Sequence, residues 1–169
     1  HIALTYNPAK ITGIDIEEDL ICRCLARADK AGVSHITDFR HVRPGTLPVE
    51  DSSLDFVFSK DAIVHIADKH ALAADVYRVL KPGGWFCASD WLAGFEGKPS
   101  PEMRDYIIAE GLEFGHANAE GYQSALKDAG FTDISINDCN AWYRQEARRE
   151  RDNLAGTLYE GLASDVGKE

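Results

Sequence analysis

Leu54-Asp55-Phe56-Val57-Phe58-Ser59-Lys60-Asp61-Ala62-Ile63-Val64-His65-Ile66 is the stretch on which the fold turns. Its apolar opening, rich in aromatic and β-branched residues, reads as a buried strand over residues 54–59. The strand runs straight into Ser-Lys-Asp. A helix-like turn then sets His65 four residues after Asp61, a spacing at which two helical side chains face the same way. Residues 68–80 follow as a helix with Leu72, Val76, Val79 and Leu80 on one face, stopped by Lys81-Pro82-Gly83-Gly84. Residues 85–91 read as the next strand.

The pattern extends upstream. Residues 1–6 read as the last turns of a helix that ends near Asn7-Pro8. Residues 11–16, Ile-Thr-Gly-Ile-Asp-Ile, are a short strand. A helix over 17–32 starts with acidic residues and ends on Gly, with Leu20, Ile21, Cys24, Leu25 and Ala28 as its apolar stripe. Residues 34–39 form a weaker strand, and Arg43-Pro44-Gly45 and Glu50-Asp51-Ser52-Ser53 are loop. Near-continuous apolar strands alternating with helices predict an α/β fold: a parallel sheet covered by helices on both faces.

Downstream, helices are expected over 100–111, opened by an N-cap Ser and a Pro at N1, and over 119–129. A strand is expected over 131–139. A long helix over 142–162 follows, with Ala147, Leu154, Leu158 and Leu162 as its buried stripe. Arg144, Arg148, Arg149 and Arg151, interleaved with glutamates, read as a solvated face.

Bulk properties narrow the function. A length of 169 residues makes one domain the default, and 44% hydrophobic residues suffice for a core. A formal charge of -10 argues against nonspecific binding to a phosphate backbone and is compatible with a small cationic ligand. Cys22, Cys24, Cys87 and Cys139 form no Cys-x-x-Cys pair and have no matching His spacing, so no metal site is expected. They are expected as free, mostly buried thiols in a reducing, cytoplasmic setting. No apolar run reaches the length of a membrane span, no signal peptide is visible, and the chain begins at His1 rather than Met.

The chemistry-bearing positions lie where strands end. An acid ending the second strand of a nucleotide-binding α/β fold accepts hydrogen bonds from a ribose diol, and Asp15 fits that place; a strand-end turn residue is the competing reading. The Gly-rich loop of such folds lies about 20 residues before that acid, and only 14 residues precede Asp15. Asp61 and His65 stand at the carboxyl end of an apolar strand, where open α/β sheets bind ligands. Such a pair can orient an amine and take its proton, a need set by an amine pKa of about 10, which leaves no lone pair at neutral pH. A capping Asp beside a hydrogen-bonded core His accounts for the spacing equally well.

Three segments together resemble the class I S-adenosylmethionine-dependent methyltransferases: Gly13-Ile14-Asp15-Ile16; Leu47-Pro48-Val49-Glu50 through Ile66; and Val76-Tyr77-Arg78-Val79-Leu80-Lys81-Pro82-Gly83-Gly84 through Trp91. The Ser-Lys-Asp-x-x-x-His-Ile element is narrower. With Ser100-Pro101-Glu102-Met103-Arg104-Asp105-Tyr106-Ile107 and Tyr122 to Phe131, it resembles the phosphoethanolamine N-methyltransferases and the bacterial glycine, sarcosine and dimethylglycine N-methyltransferases. The resemblance implies a three-layer Rossmann-like sheet with helices on both faces. It also implies that residues 1–169 are a single, incomplete domain lacking the N-terminal Gly-rich strand-loop and the last strand.

The resemblance further implies S-adenosylmethionine as cofactor and a small amine as acceptor, sarcosine- or dimethylglycine-like or phosphoethanolamine-like, with no nucleic acid or membrane partner. Asp15 would hold the adenosyl ribose, and Ile16 would lie against the adenine. Arg43 and Pro44 fall where the adenine is lined, without the Asp often found there. Ser59 and Lys60 would flank the methionine end. Asp61 and His65 would hold and deprotonate the substrate nitrogen. Trp91 and Tyr106 would line its pocket, where aromatic faces suit a cation; as plain core aromatics they would do neither. Phosphobase enzymes grip phosphate with an Arg where this chain has Glu110, which favours an unphosphorylated amine. Two other readings stay open: a non-catalytic methyltransferase-like remnant acting as a scaffold, and, on Asp15 alone, a nicotinamide-dependent oxidoreductase, against which the Lys-Pro-Gly-Gly turn argues.

Overall fold

The computed structural model describes residues 1–94, 97–156, 158, 159 and 161. The chain divides into two compact units, His1–Gly130 and Phe131–Glu169.

In the first unit, α1 (Ile2–Tyr6) ends on Asn7 in the left-handed conformation. β1 (Ile11–Asp15) and β2 (Thr37–His41) pair in parallel, joined through α2 (Glu18–Lys30). The second strand starts later than its sequence suggests, because residues 33–36 are spent in a turn: Val33 N–H donates to Ala28 C=O and Ile36 N–H to Val33 C=O. Gly13 sits opposite Phe39 in the ladder, and a Cβ there would lie 2.6 Å from the Phe39 ring, so only glycine lets that ring lie across β1. The stripe expected on α2 narrows to Ile21 and Ala28; Leu20 and Leu25 are exposed.

β3 (Leu54–Lys60) and β4 (Leu80–Ser89) form a second parallel pair, joined through a 3-10 turn (Ile63–His65) and α3 (Lys69–Val79). Lys81-Pro82-Gly83-Gly84 does not separate helix from strand as expected. The helix stops at Val79, and Leu80 already pairs with Leu54; the irregularity lies between Leu54 and Phe56, and Gly83 takes a φ of 79°. Asp68 caps α3 by accepting the Ala71 N–H at 2.8 Å. Among the described residues, no ladder joins β1–β2 to β3–β4.

α4 (Pro101–Glu110) and α5 (Ala119–Ala129) are capped by Ser100 and Asn118 and end on left-handed Gly111 and Gly130. α5 packs on α3, and the core gathers there: Ile63, Val64, Ala73, Val76, Val79, Leu80 and Ala125 are buried. The face of β3–β4 bearing Phe56, Phe58 and Trp85 is open, with Trp85 67% exposed. Arg78 ties the 47–51 loop to α3, donating to the carbonyls of Leu47 and Val49 and pairing with Asp51 and Asp75.

In the second unit, α6 (Asn140–Leu154) is a helix, and residues 158, 159 and 161 are helical as well. The strand expected over 131–139 does not form, because that segment finds no partner strand in the described ladders. α6 starts two residues earlier than expected, is interrupted by a turn at 155–156 and has no buried residue: Ala147 is intermediate, Leu154 and Leu158 are exposed, and Leu162 lies outside the described residues. The arginines are solvated, with Arg149 paired to Glu146 and Arg151 to Asp152. The cysteines are free, yet Cys22, Cys87 and Cys139 are exposed rather than buried: Cys22 lies off the Ile21–Ala28 stripe, and Cys87 is the ladder partner of Phe58 on the open face.

Candidate functional site

Parallel pairing brings the carboxyl ends of β3 and β4 together, with Ser59 opposite Ala88 and Lys60 opposite Ser89. The chain then turns sharply. Asp61 takes φ 53°, a left-handed conformation that Asp tolerates better than most residues, and its N–H donates to Ser89 C=O at 2.9 Å. Its Oδ2 receives the Lys60 ammonium at 2.7 Å. Both side chains are solvent-accessible, so the pair contributes little to stability.

The α-helical relation expected between Asp61 and His65 is absent. The 3-10 turn starts at Ile63, after the left-handed residue, so an i,i+4 facing does not relate the two side chains. His65 instead turns to a segment that is distant in sequence. Its Nδ1 lies 3.1 Å from Glu113 C=O, and its ring meets Phe114 edge-on at 5.1 Å. Phe114 also contacts Tyr106 at 6.1 Å and His116 at 5.7 Å. His65 and Tyr106 are thus brought to one aromatic cluster, with Phe114 as the link that sequence reasoning missed. A cavity of about 360 Å³ opens beside it, lined by Lys98, Ile107, Glu113, Phe114 and His116 among others.

The 113–117 segment is stitched to the strand ends by Gly115 N–H on Val64 C=O at 2.7 Å and Ala93 N–H on Ala117 C=O at 2.9 Å. A Cβ on Gly115 would lie 2.5 Å from Ala67 Cα, so this approach requires glycine.

Beneath the turn lies a buried polar group that the sequence did not flag. Lys69, at the start of α3, is buried and donates to the carbonyls of Ile63, at 2.6 Å, and Ile66. Burial lowers its pKa and the charge of Asp90 raises it. Asp90, just past β4, accepts the Trp91 N–H at 2.8 Å and the Tyr122 hydroxyl at 3.4 Å. Burial pushes its carboxyl up, opposed by those hydrogen bonds and by Lys69. Burial first, and then Asp90, hold the Tyr122 phenol above its ordinary range.

At the other strand pair, Asp15 ends β1, and its Oδ1 accepts the Glu17 N–H at 2.9 Å. Ile16 is exposed, with its carbonyl 3.1 Å from His41 Nε2. Arg43 and Pro44 lie exposed in the loop after β2. Trp91 is 44% and Tyr106 51% exposed, so neither is a plain core aromatic. Glu110 is the exposed last residue of α4. Among the described residues, no cluster of His, Cys, Asp and Glu fits a metal ion, and no helix is long and apolar enough to cross a membrane.

Parallel strands joined through helices, with polar residues collected at their carboxyl ends, are an α/β arrangement, and its likeness to solved methyltransferases makes it the class I methyltransferase fold. The family model described as a methyltransferase domain matches residues 1–88, just over half of the 169, and the chain belongs to that family. Among relatives, phosphoethanolamine N-methyltransferase 1 of Arabidopsis thaliana is 35% identical over 159 residues, covering 94% of this chain and 31% of its own length. Among solved structures, Haemonchus contortus phosphoethanolamine N-methyltransferase 2, in complex with phosphomonomethylethanolamine and S-adenosylhomocysteine, matches with a TM-score of 0.82 at 23% identity, over 99% of this chain and 38% of that one. The [4+2]-cyclase SpnF matches with a TM-score of 0.63 at 26% identity, over 78% of this chain and 47% of that one. The chain therefore spans about a third of the length of the phosphoethanolamine N-methyltransferases it matches.

Proposed function

We propose that this chain carries the acceptor-side chemistry of an S-adenosylmethionine-dependent N-methyltransferase acting on a small amine. The observation that carries the reading is Asp61: an accessible carboxylate, fixed by its own N–H to Ser89 at the carboxyl ends of two parallel strands, beside the turn that leads to the aromatic cluster. The 35% identity to a phosphoethanolamine N-methyltransferase supports nitrogen as the acceptor.

The residues fit the cofactor in kind. Asp15 presents a carboxylate at a strand end, suited to a ribose diol, and Ile16 an exposed apolar side chain suited to an adenine face. Arg43 and Pro44, exposed after β2, would line the adenine side, and Ser59 and Lys60, at the end of β3, would hold the methionine end. When bound, S-adenosylmethionine supplies an electrophilic methyl group on a sulfonium.

On the acceptor side, Asp61 Oδ1 holds the substrate ammonium and takes its proton, freeing the nitrogen lone pair. Lys60 on Oδ2 orients the carboxylate. His65, held by Glu113 C=O, supports the bound amine, and Trp91 and Tyr106 offer aromatic faces to its cationic form. Glu110 stands where the phosphobase enzymes carry an Arg, and a carboxylate there would repel a phosphate, which favours an unphosphorylated amine as acceptor.

Calorimetric titration with S-adenosylhomocysteine, followed by transfer of a labelled methyl group to a panel of glycine, sarcosine, dimethylglycine, ethanolamine and phosphoethanolamine, tests the reading. Asp61→Asn is expected to keep the fold and cofactor affinity and to lower turnover about a hundredfold. Unchanged turnover in that variant removes Asp61 from the chemistry.

A further inference from the structure

The 3-10 turn of residues 63–65 is too short to hold itself, since 3-10 hydrogen bonds are poor and such turns persist where something else fixes them. A buried carbonyl left unpaired is costly; the Lys69 ammonium meets Ile66 C=O and adds a second donor to Ile63 C=O, which already accepts the Ile66 N–H at 2.9 Å, so one side chain grips both ends of the turn. Lys69 is also the only buried charged residue among those described.

Burying an ammonium is expensive unless it is well paired, and its environment here is mostly apolar, with Leu72, Ala73, Phe86 and Ala125 around it. The compensation comes from three elements. The carbonyls belong to the turn, Asp90 to the end of β4, and Tyr122, whose ring centroid lies 5.3 Å from Nζ, to α5. A methionine would fill the same space without that cost, so packing alone does not explain a lysine here.

We propose that Lys69 is a positioning residue for the acceptor site: its buried ammonium clamps the Ile63–His65 turn against Tyr122, whose hydroxyl donates to Asp90, and so fixes His65 relative to Asp61. The clamp reaches both ends of the site. The Asp61 N–H is anchored on Ser89, the residue before Asp90, and Gly115 N–H, anchored on Val64, holds the segment carrying Glu113 and Phe114 against His65. The positioning role rests on the reading of Asp61 and His65 given above; the clamp itself does not.

The test pairs Lys69→Met with Lys69→Met/Asp90→Asn in the whole chain, using amide exchange, S-adenosylhomocysteine affinity and amine methylation. The clamp predicts that Lys69→Met exchanges residues 62–66 about tenfold faster, while α2 and β1 keep wild-type protection. S-adenosylhomocysteine affinity stays within about threefold, and kcat falls about tenfold to a hundredfold, as expected when reacting groups are misplaced rather than removed. The double variant leaves no uncompensated carboxylate, so it folds even where the single one does not, and it stays defective at 62–66 because the ammonium that gripped Ile63 and Ile66 is still gone. If the double variant recovers wild-type exchange and kcat, Lys69 serves only to neutralise Asp90 and the proposal is overturned. Wild-type exchange at 62–66 in Lys69→Met overturns it as well. A wild-type chain that methylates no amine defeats the functional reading, and the exchange comparison still decides the clamp.

Discussion

Gly115→Ala is the most direct probe of how the site is assembled. The substitution adds one methyl group at a backbone conformation that alanine can adopt, so any cost comes from crowding. That methyl would lie 2.5 Å from Ala67 Cα, 2.8 Å from Ala67 N and 2.9 Å from Ile66 C, all of them backbone atoms. Carbon atoms prefer about 3.5–4.0 Å, so the two segments must part by about 1 Å. Overpacking of this kind costs about 1–3 kcal/mol. The Gly115–Val64 hydrogen bond, 2.7 Å long, is strained or lost for about 1 kcal/mol more. Replacing glycine stiffens the unfolded chain and returns about 0.4–1 kcal/mol.

The net is a destabilisation of about 2 kcal/mol, or about 5–10 °C in Tm for a unit of this size. Differential scanning calorimetry reads it, and amide exchange should place the loss at residues 64–67 and 113–116. Gly94→Ala is the control: nothing lies within 4 Å of a Cβ there, so it is expected to be neutral or slightly stabilising. A Gly115→Ala protein with wild-type Tm would show that the two segments do not approach as described.

Other outcomes follow from local geometry. Asp68→Ala removes the cap on the Ala71 N–H and should cost about 1 kcal/mol in urea unfolding; an unchanged midpoint would contradict the cap. Tyr122→Phe tests the phenol, which burial and Asp90 hold above its usual pKa of 10.0. Above that pH the unfolded chain releases a proton that the folded chain keeps, so wild-type stability falls as pH rises. The variant lacks this contribution, and its stability should fall less steeply above about pH 10; parallel slopes would refute the assignment.

What the sequence made legible was local. Ser100-Pro101 and Gly111 bound α4, and the alternation of apolar strands with amphipathic helices gave the parallel pairs, because capping and periodicity act over a few residues. The candidate site was only half visible. Asp61 and His65 could be picked out by type, but their geometry could not: a left-handed residue followed by a 3-10 turn looks, as letters, like the start of an α-helix. Glu113 reaches His65 across 48 residues, and the Lys69 ammonium faces a Tyr122 ring that lies three elements further along the chain; no short-range signal encodes such meetings. The failed strand over 131–139 has the same cause inverted. Its residues suit a strand, but a strand exists only where another backbone completes it.

The left-handed backbone at Asp61 bears on how this protein can vary. Glycine, asparagine and aspartate accept such a conformation readily, and of these only aspartate carries a charge. A library randomised at this codon and sorted for solubility alone should therefore retain all three, while under the proposed role of Asp61 one sorted for methyl transfer should retain aspartate alone. One position would then report separately on two pressures, the demand of the chain's path and the demand of the proposed reaction.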